Sequence, residues 1–178
     1  MPAVMRAPTA EQTWLGLGLT GAILVAVSMI LTAWLDLHPC HLCIFQRLLF
    51  MLLAVLSLAA AFPVTGRAGR LAGVLSLPTA ALGVGVAAYQ SWLQAQPSNS
   101  ISCAGGEPGL IERLVEWLGE QAPVLFLATG FCEEEELVIL GLSLANWALV
   151  AYFAFLAAGL WALLKAPHQN RLHHGGHP

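Results

Sequence analysis

Four long apolar runs, the first three separated by short polar breaks and the last set off by a long segment of mixed character, organise this 178-residue chain. The first, residues 14–35, holds no charged residue and is long enough to cross a hydrocarbon core of about 30 Å. The others cover about 43–62, 71–93 and 143–164. Arg47 is the only charge in the second. Pro78 falls inside the third, a position that a membrane helix tolerates when its neighbours re-satisfy the freed carbonyl. A cleaved signal peptide would have a shorter apolar stretch, about 7–15 residues, followed by a small-residue cleavage site. Asp36-Leu37-His38-Pro39 offers no such site, so the first run reads as a retained helix. Residues 1–13 form a polar leader with Arg6, residues 63–70 a tight turn with Arg67 and Arg70, and the histidine-rich end a flexible tail. A different pattern marks the long segment 94–142. There Leu110, Ile111, Leu114, Val115 and Leu118 recur at helical spacing, with Glu112, Arg113 and Glu116 between them. This predicts a short amphipathic helix, lying flat in a membrane interface or capping the bundle.

Composition agrees with this division. The chain is 58% hydrophobic and 10% charged, against about a quarter charged in soluble domains. The net charge of −3 and the lack of a basic patch exclude nucleic acid as an expected partner. Trp14, Trp34, Trp92, Trp147 and Trp161 lie at or near span ends, as an aromatic belt at the headgroups requires; Trp117 falls outside the pattern. With four spans, Arg6, Arg67, Arg70, Lys165 and Arg171 share one side, leaving Arg47 and Arg113 for the other. The bias places both termini and the 63–70 turn in the cytoplasm. The expected architecture is therefore an all-α membrane protein with a single integral membrane domain over 1–178. It is a four-transmembrane-helix bundle with a short interfacial helix in the second outer loop, about 94–142; the first outer loop is 36–42. All four cysteines then face outward, the oxidising side in a bacterium-like cell.

Those cysteines carry the candidate chemistry. Cys40 and Cys43 form a Cys-x-x-Cys pair at the start of the second span, and Cys103 and Cys132 lie in the second outer loop. A zinc site built from four cysteines normally shows two close-spaced pairs, and only one is present. Haem attachment needs a histidine directly after the second cysteine, where Ile44 stands. A structural disulfide suits Cys103 and Cys132, closing a long loop, but a three-bond turn such as Cys40 to Cys43 needs no staple. A redox relay suits the close pair. A cysteine at or just inside a helix N-terminus has its thiolate stabilised by the macrodipole and free N–H groups, and Cys43 is placed for this. Arg47 lies one turn deeper on the same face. An arginine inside a span is costly and points to function unless it snorkels to the interface. A thiolate beside a guanidinium at a membrane edge suits a lipid-soluble electron acceptor, namely a quinone.

Pro39-Cys40-x-x-Cys43-Ile44-x-x-Arg47, the two later loop cysteines, and Leu140-Gly141-Leu142 leading into Trp147 resemble the bacterial disulfide bond formation protein B (DsbB) family over about 14–164. The resemblance implies a multi-pass enzyme of the bacterial inner membrane that re-oxidises a periplasmic DsbA-type thiol oxidase and reduces a membrane quinone, ubiquinone or menaquinone. Its partners are then that oxidase, the quinone pool and the bilayer. It also implies that the partner attacks Cys103, that Cys132 is the loop mate of Cys103 and exchanges with Cys40, and that Cys43 is the thiolate facing a quinone held by Arg47. Such an exchange needs a mobile loop, for which 97–100 and 105–106 supply proline and glycine. Gln46 departs from the family pattern where an acidic residue is familiar, and Ser91 and Trp92 follow Tyr89-Gln90 where a histidine is expected. His38 and His41 flank the pair and read as solvated, as do residues 133–136, all glutamate. The alternatives are a paralogue with a dedicated partner and a non-enzymatic scaffold with a structural loop disulfide.

Overall fold

The structure, a computed structural model, describes residues 8–62, 67–96, 109–132 and 137–174, with side chains as far as 165. Arg6, Cys103, and residues 97–100, 105–106 and 133–136 lie outside the described residues. Four helices long and apolar enough to cross a membrane make up the body: α1 (Ala10–Trp34), α2 (His41–Ala61), α3 (Arg67–Gln94) and the first part of α6 (Leu144–His174). The outer segment contributes α4 (Leu110–Gln121), α5 (Pro123–Phe126) and a two-stranded antiparallel hairpin, β1 (Val138–Ile139) with β2 (Leu142–Ser143). The expected all-α four-helix membrane bundle is the fold observed.

Local chemistry explains where the helices begin. Thr9 caps α1 through its side chain, which accepts from the Gln12 N–H, while the Gln12 side chain accepts from the Thr9 N–H. This capping box carries the helix four residues below the apolar run. Cys40 caps α2. α3 starts at Arg67, so 67–70, expected within a tight turn, are helical, while 63–66 lie outside the described residues. α6 runs on as backbone helix to His174, ten residues past the apolar span, where a flexible tail was expected. The hairpin also goes beyond the sequence reading. Leu140 at φ 54° and Gly141 at φ 80° turn it, as a tight two-residue connection demands.

In the bundle α1 packs on α2, α2 on α3, α3 on α6 and α6 back on α1. Gly18 and Gly21 let α1 approach α2 closely, against Leu58 and Ala54 respectively. At the end where α1 and α3 begin, Trp14 fills the space between Gly73 of α3 and Gly159 of α6. Midway, Phe50 stacks on Tyr152 with centroids 4.2 Å apart and meets Phe155 edge-on. The opposite face of α1 presents Leu15, Leu19, Ile23, Val27 and Ile30 outward, an apolar stripe suited to lipid. α4 buries Val115 against the bundle while Leu110, Leu114 and Trp117 form an exposed apolar edge. That edge accounts for the tryptophan outside the aromatic belt.

Tyr152 is fully buried, and its ring occupies the space a side chain at Gly83 would need. Gly83→Ala should destabilise the bundle by about 1–3 kcal/mol, the usual cost of overpacking. Gly85, with nothing within 4 Å of its absent Cβ, is the control. Thermal unfolding in detergent should show a lower Tm for Gly83→Ala and none of that loss for Gly85→Ala.

Candidate functional site

The Cys-x-x-Cys pair sits where the first outer connection becomes α2. Cys40 has extended backbone, and its Sγ accepts from the Cys43 N–H at 3.3 Å while its carbonyl accepts from the Ile44 N–H at 3.0 Å. Cys43 lies on the first turn of the helix, its Sγ 2.9 Å from that of Cys40. The helix N-terminus thus points its free N–H at Cys40, where sequence alone favoured Cys43. A third thiol arrives from the segment after α5. The N–H groups of Thr129 and Gly130 both donate to the Pro39 carbonyl, at 3.0 and 3.3 Å, and Cys132, two residues on, hydrogen-bonds with Cys40. Cys40 and Cys132 are buried, and Cys43 is half-buried.

Electrostatics separates the two buried thiols. Hydrogen bonding to Cys132, then to Cys43, and burial push the Cys40 thiol up from its ordinary range. The hydrogen bond from Cys40 brings the Cys132 thiol down, against burial. The same hydrogen bond thus shifts the two thiols in opposite directions, with Cys132 the more readily ionised of the pair.

Arg47 does not snorkel. It is 6% exposed and reaches sideways. Its Nε and one terminal nitrogen donate to Ser28 Oγ at 3.2 and 3.1 Å, and that nitrogen also donates to Thr32 Oγ1 at 2.8 Å. The other terminal nitrogen donates to the Leu125 carbonyl at 3.1 Å. The guanidinium therefore ties α2 to α1 and to α5. Beside the thiols stand two buried amides. Gln90 Nε2 donates to Cys43 Sγ at 3.0 Å and to Cys40 Sγ at 3.4 Å, and Gln46 Nε2 donates to Gln90 Oε1 at 2.7 Å. Tyr152 Oη donates to the Gln46 carbonyl at 2.8 Å.

Two cavities meet at this cluster. The larger, about 470 Å³, lies among α1, α2, α6 and the hairpin. Its walls are apolar, with Leu24, Val25, Leu31, Phe50 and Trp147 among them, and its polar end holds Cys43, Gln46, Arg47 and Gln90. Val27, Val150 and Trp147 on its rim are also exposed on the outside of the bundle. The smaller, about 40 Å³, is lined by His38, Cys40, Gln94 and Ser143 among others. Cys43 and Gln90 line both. Such an arrangement can take a flat apolar molecule with hydrogen-bond acceptors from the lipid side and set it against a thiol.

Of the residues singled out in the sequence, Cys40, Cys43, Cys132 and Arg47 converge here. Cys103 lies outside the described residues, and so does any pairing it makes. His38 lines the smaller cavity, and His41 Nε2 lies 3.9 Å from Glu116 Oε1. Sequence reasoning missed Ser28, Thr32, Gln46 and Gln90 as members of the cluster. The available signal was their polarity: Ser28 and Thr32 at i, i+4 in a span whose only other hydroxyl is Thr20, and two amides where lipid offers no partner.

Residues 10–162 match the family model described as disulfide bond formation protein DsbB. Disulfide bond formation protein B of Dechloromonas aromatica (strain RCB) is 46% identical over 143 residues, spanning 80% of this chain and 84% of that protein. Disulfide bond formation protein B 2 of Burkholderia lata is 40% identical over 167 residues, 92% of this chain and 95% of that protein. The Methylobacillus flagellatus disulfide bond formation protein B is 36% identical over 149 residues, 83% and 87% of the two chains.

The contact between Cys40 and Cys132 makes a direct prediction. In a Cys43→Ser/Cys103→Ser variant, mild oxidation should join Cys40 to Cys132, detected by non-reducing peptide mapping. A product containing only intermolecular bonds would contradict the geometry.

Proposed function

The chain belongs to the disulfide bond formation protein B family, and from that premise we propose that it is a thiol:quinone oxidoreductase that re-oxidises a DsbA-type periplasmic dithiol. One juxtaposition supports this reading most: Cys43 touches a second thiol on one side and lines an apolar cavity beside Arg47 on the other. A structural disulfide has no use for the second feature.

The residues suit a quinone. Apolar walls suit its ring and tail, and the Arg47 guanidinium at the polar end supplies a donor for a carbonyl oxygen. The volume of about 470 Å³ is within the range of small-molecule sites, about 300–1,000 Å³. When bound, a quinone of the ubiquinone or menaquinone class supplies an acceptor for two electrons and two protons.

The protein's own steps are thiol–disulfide exchanges, in each of which one S–S bond forms as another breaks. A partner thiolate attacks Cys103 in a Cys103–Cys132 disulfide, forming the mixed disulfide and releasing Cys132 as thiolate. Cys132 then attacks Cys40 of a Cys40–Cys43 disulfide. The Cys132–Cys40 bond forms, the Cys40–Cys43 bond breaks, and Cys43 leaves as thiolate on the wall of the large cavity. The attacking and attacked sulfurs of the second step are already neighbours, which removes most of the search that exchange otherwise requires. Burial of Cys40 and Cys132 shields that exchange from outside thiols.

The end of the bundle that carries Arg67, Arg70 and Lys165 is opposite the thiols, so the positive-inside rule sets it in the cytoplasm and the cysteines at the periplasmic face of the inner membrane. The exposed apolar edge of α4 then rests in the outer leaflet interface.

Arg47 tests the acceptor assignment. Loss of a charged hydrogen bond costs about 1.5–3 kcal/mol, so Arg47→Ala should raise the quinone concentration for half-maximal rate by at least about tenfold. The partner requirement should change less. Steady-state kinetics in detergent, with helicity checked, would give this result; an unchanged quinone dependence would contradict it.

A further inference from the structure

The thiolate assigned to Cys43 has a hydrogen-bond partner that the arginine does not supply. The four hydrogen bonds recorded for the Arg47 guanidinium run to Ser28, Thr32 and Leu125. The Gln90 amide faces the sulfurs instead, nearer to Cys43 at 3.0 Å than to Cys40 at 3.4 Å. Gln90 is 2% exposed and Gln46 is 5% exposed. Their mutual bond of 2.7 Å occupies the Gln90 carbonyl and turns its NH2 toward the thiols. The Gln46 main-chain carbonyl accepts in turn from the Tyr152 hydroxyl of α6, which fixes the backbone from which the amide extends.

We infer that the Gln90 amide, oriented by Gln46, is a built-in donor for the Cys43 thiolate and makes Cys43 the leaving sulfur when the Cys40–Cys43 bond is attacked. A neutral sulfur is a weak acceptor and gains little from an amide N–H, whereas a thiolate gains a charge-assisted bond. The contact therefore favours the ionised form specifically. In exchange the sulfur with the lower pKa leaves faster, so a donor on Cys43 directs the incoming sulfur to Cys40. Cys132 stands on that side. Because the donor is an uncharged amide, it stays a donor throughout the range in which cysteines titrate. Gln90 touches the reacting sulfur, and Gln46 is a positioning residue acting through it.

The titratable or charged groups around Cys43 are few among the described residues. Cys40 is at the cap of α2, Arg47 is on α2, Cys132 is on the segment after α5, and His38 is across the small cavity. The other polar groups lining the two cavities carry no charge: Ser28 and Thr32 of α1, Gln46 of α2, Gln90 and Gln94 of α3, Ser143 of β2 and the Trp147 indole of α6. Removing Gln90 as a donor should thus be visible in the titration of Cys43.

This inference rests on the reading of Cys43 as a redox thiol, and its test needs neither quinone nor partner. In full-length protein carrying Cys40→Ser, Cys103→Ser and Cys132→Ser, Cys43 is the sole thiol. Its alkylation rate against pH gives the midpoint of thiolate formation. Gln90→Leu should raise that midpoint by about one pH unit, the scale of a hydrogen bond to a charged group. Gln46→Leu should raise it by less, since the amide remains and only its aim is lost. Gln90→Glu should raise it at least as far as Gln90→Leu, by setting a carboxylate against the thiolate. A Gln90→Leu midpoint equal to the parent's, with helicity and Tm retained, would overturn the inference and leave the amide as packing. A raised midpoint in a protein that reduces no quinone would uphold the amide's role while defeating the acceptor assignment.

Discussion

A guanidinium held inside a membrane span must find partners from protein, and Arg47 imposes that demand on two other elements, α1 and α5. Leaving such a charge unpaired in the span would cost several kcal/mol. Ser28 and Thr32 of α1 and the Leu125 carbonyl of α5 meet it. The last of these matters beyond electrostatics. It fixes α5 to the bundle, and the Thr129 and Gly130 bonds to Pro39 continue the same attachment toward the thiols. The segment that carries Cys132 is thereby held over Cys40 by bonds to α2 and to the residue before its cap. The position of the third sulfur depends on the arginine seven residues away from the first.

The polar cluster divides its work. Arg47 stays at the polar end of a large apolar cavity, where charge suits a carbonyl oxygen. The amides of Gln46 and Gln90 serve the sulfurs, and Cys40 serves Cys132. The guanidinium is bonded to Ser28, Thr32 and Leu125 and the Gln90 amide to the sulfurs, so the charge and the donor for the thiols are kept on separate groups. In an interior of low dielectric such separation is worth more than it would be in water. Tyr152, stacked on Phe50 and seated in the space that Gly83 leaves open, anchors this cluster from α6. A packing contact in the middle of the membrane thus reaches the thiols through the backbone of Gln46.

Much of this was legible in the sequence. The four spans, the short amphipathic helix, the shared outer face of the cysteines and the placing of Arg47 one turn below Cys43 follow from hydrophobic period, aromatic placement and residue spacing; the meeting of Cys132 with Cys40 came only from the family resemblance. Helix ends were less legible where capping side chains decide them, as Thr9 and Gln12 do for α1. The hairpin at 138–143 is only two residues on each side and turns on Leu140 with positive φ, a residue whose type gives no hint of it. Gln46 and Gln90 are 44 positions apart; nothing local says that two amides will face each other. Their presence in apolar spans signals a need for partners but not which partners. The helix N-terminus was a partial guide, since its free N–H reaches Cys40, and the donor for Cys43 comes from another helix.

The central claim is that electrons leave the thiol cluster through the apolar cavity. Quinone absorbance during oxidation of a reduced DsbA-type partner by the purified protein tests it most directly. The account predicts one quinone lost for each partner dithiol oxidised, and no loss with the Cys40→Ser/Cys43→Ser variant. Partner oxidation that consumes no quinone, or quinone loss that persists in that variant, would contradict it.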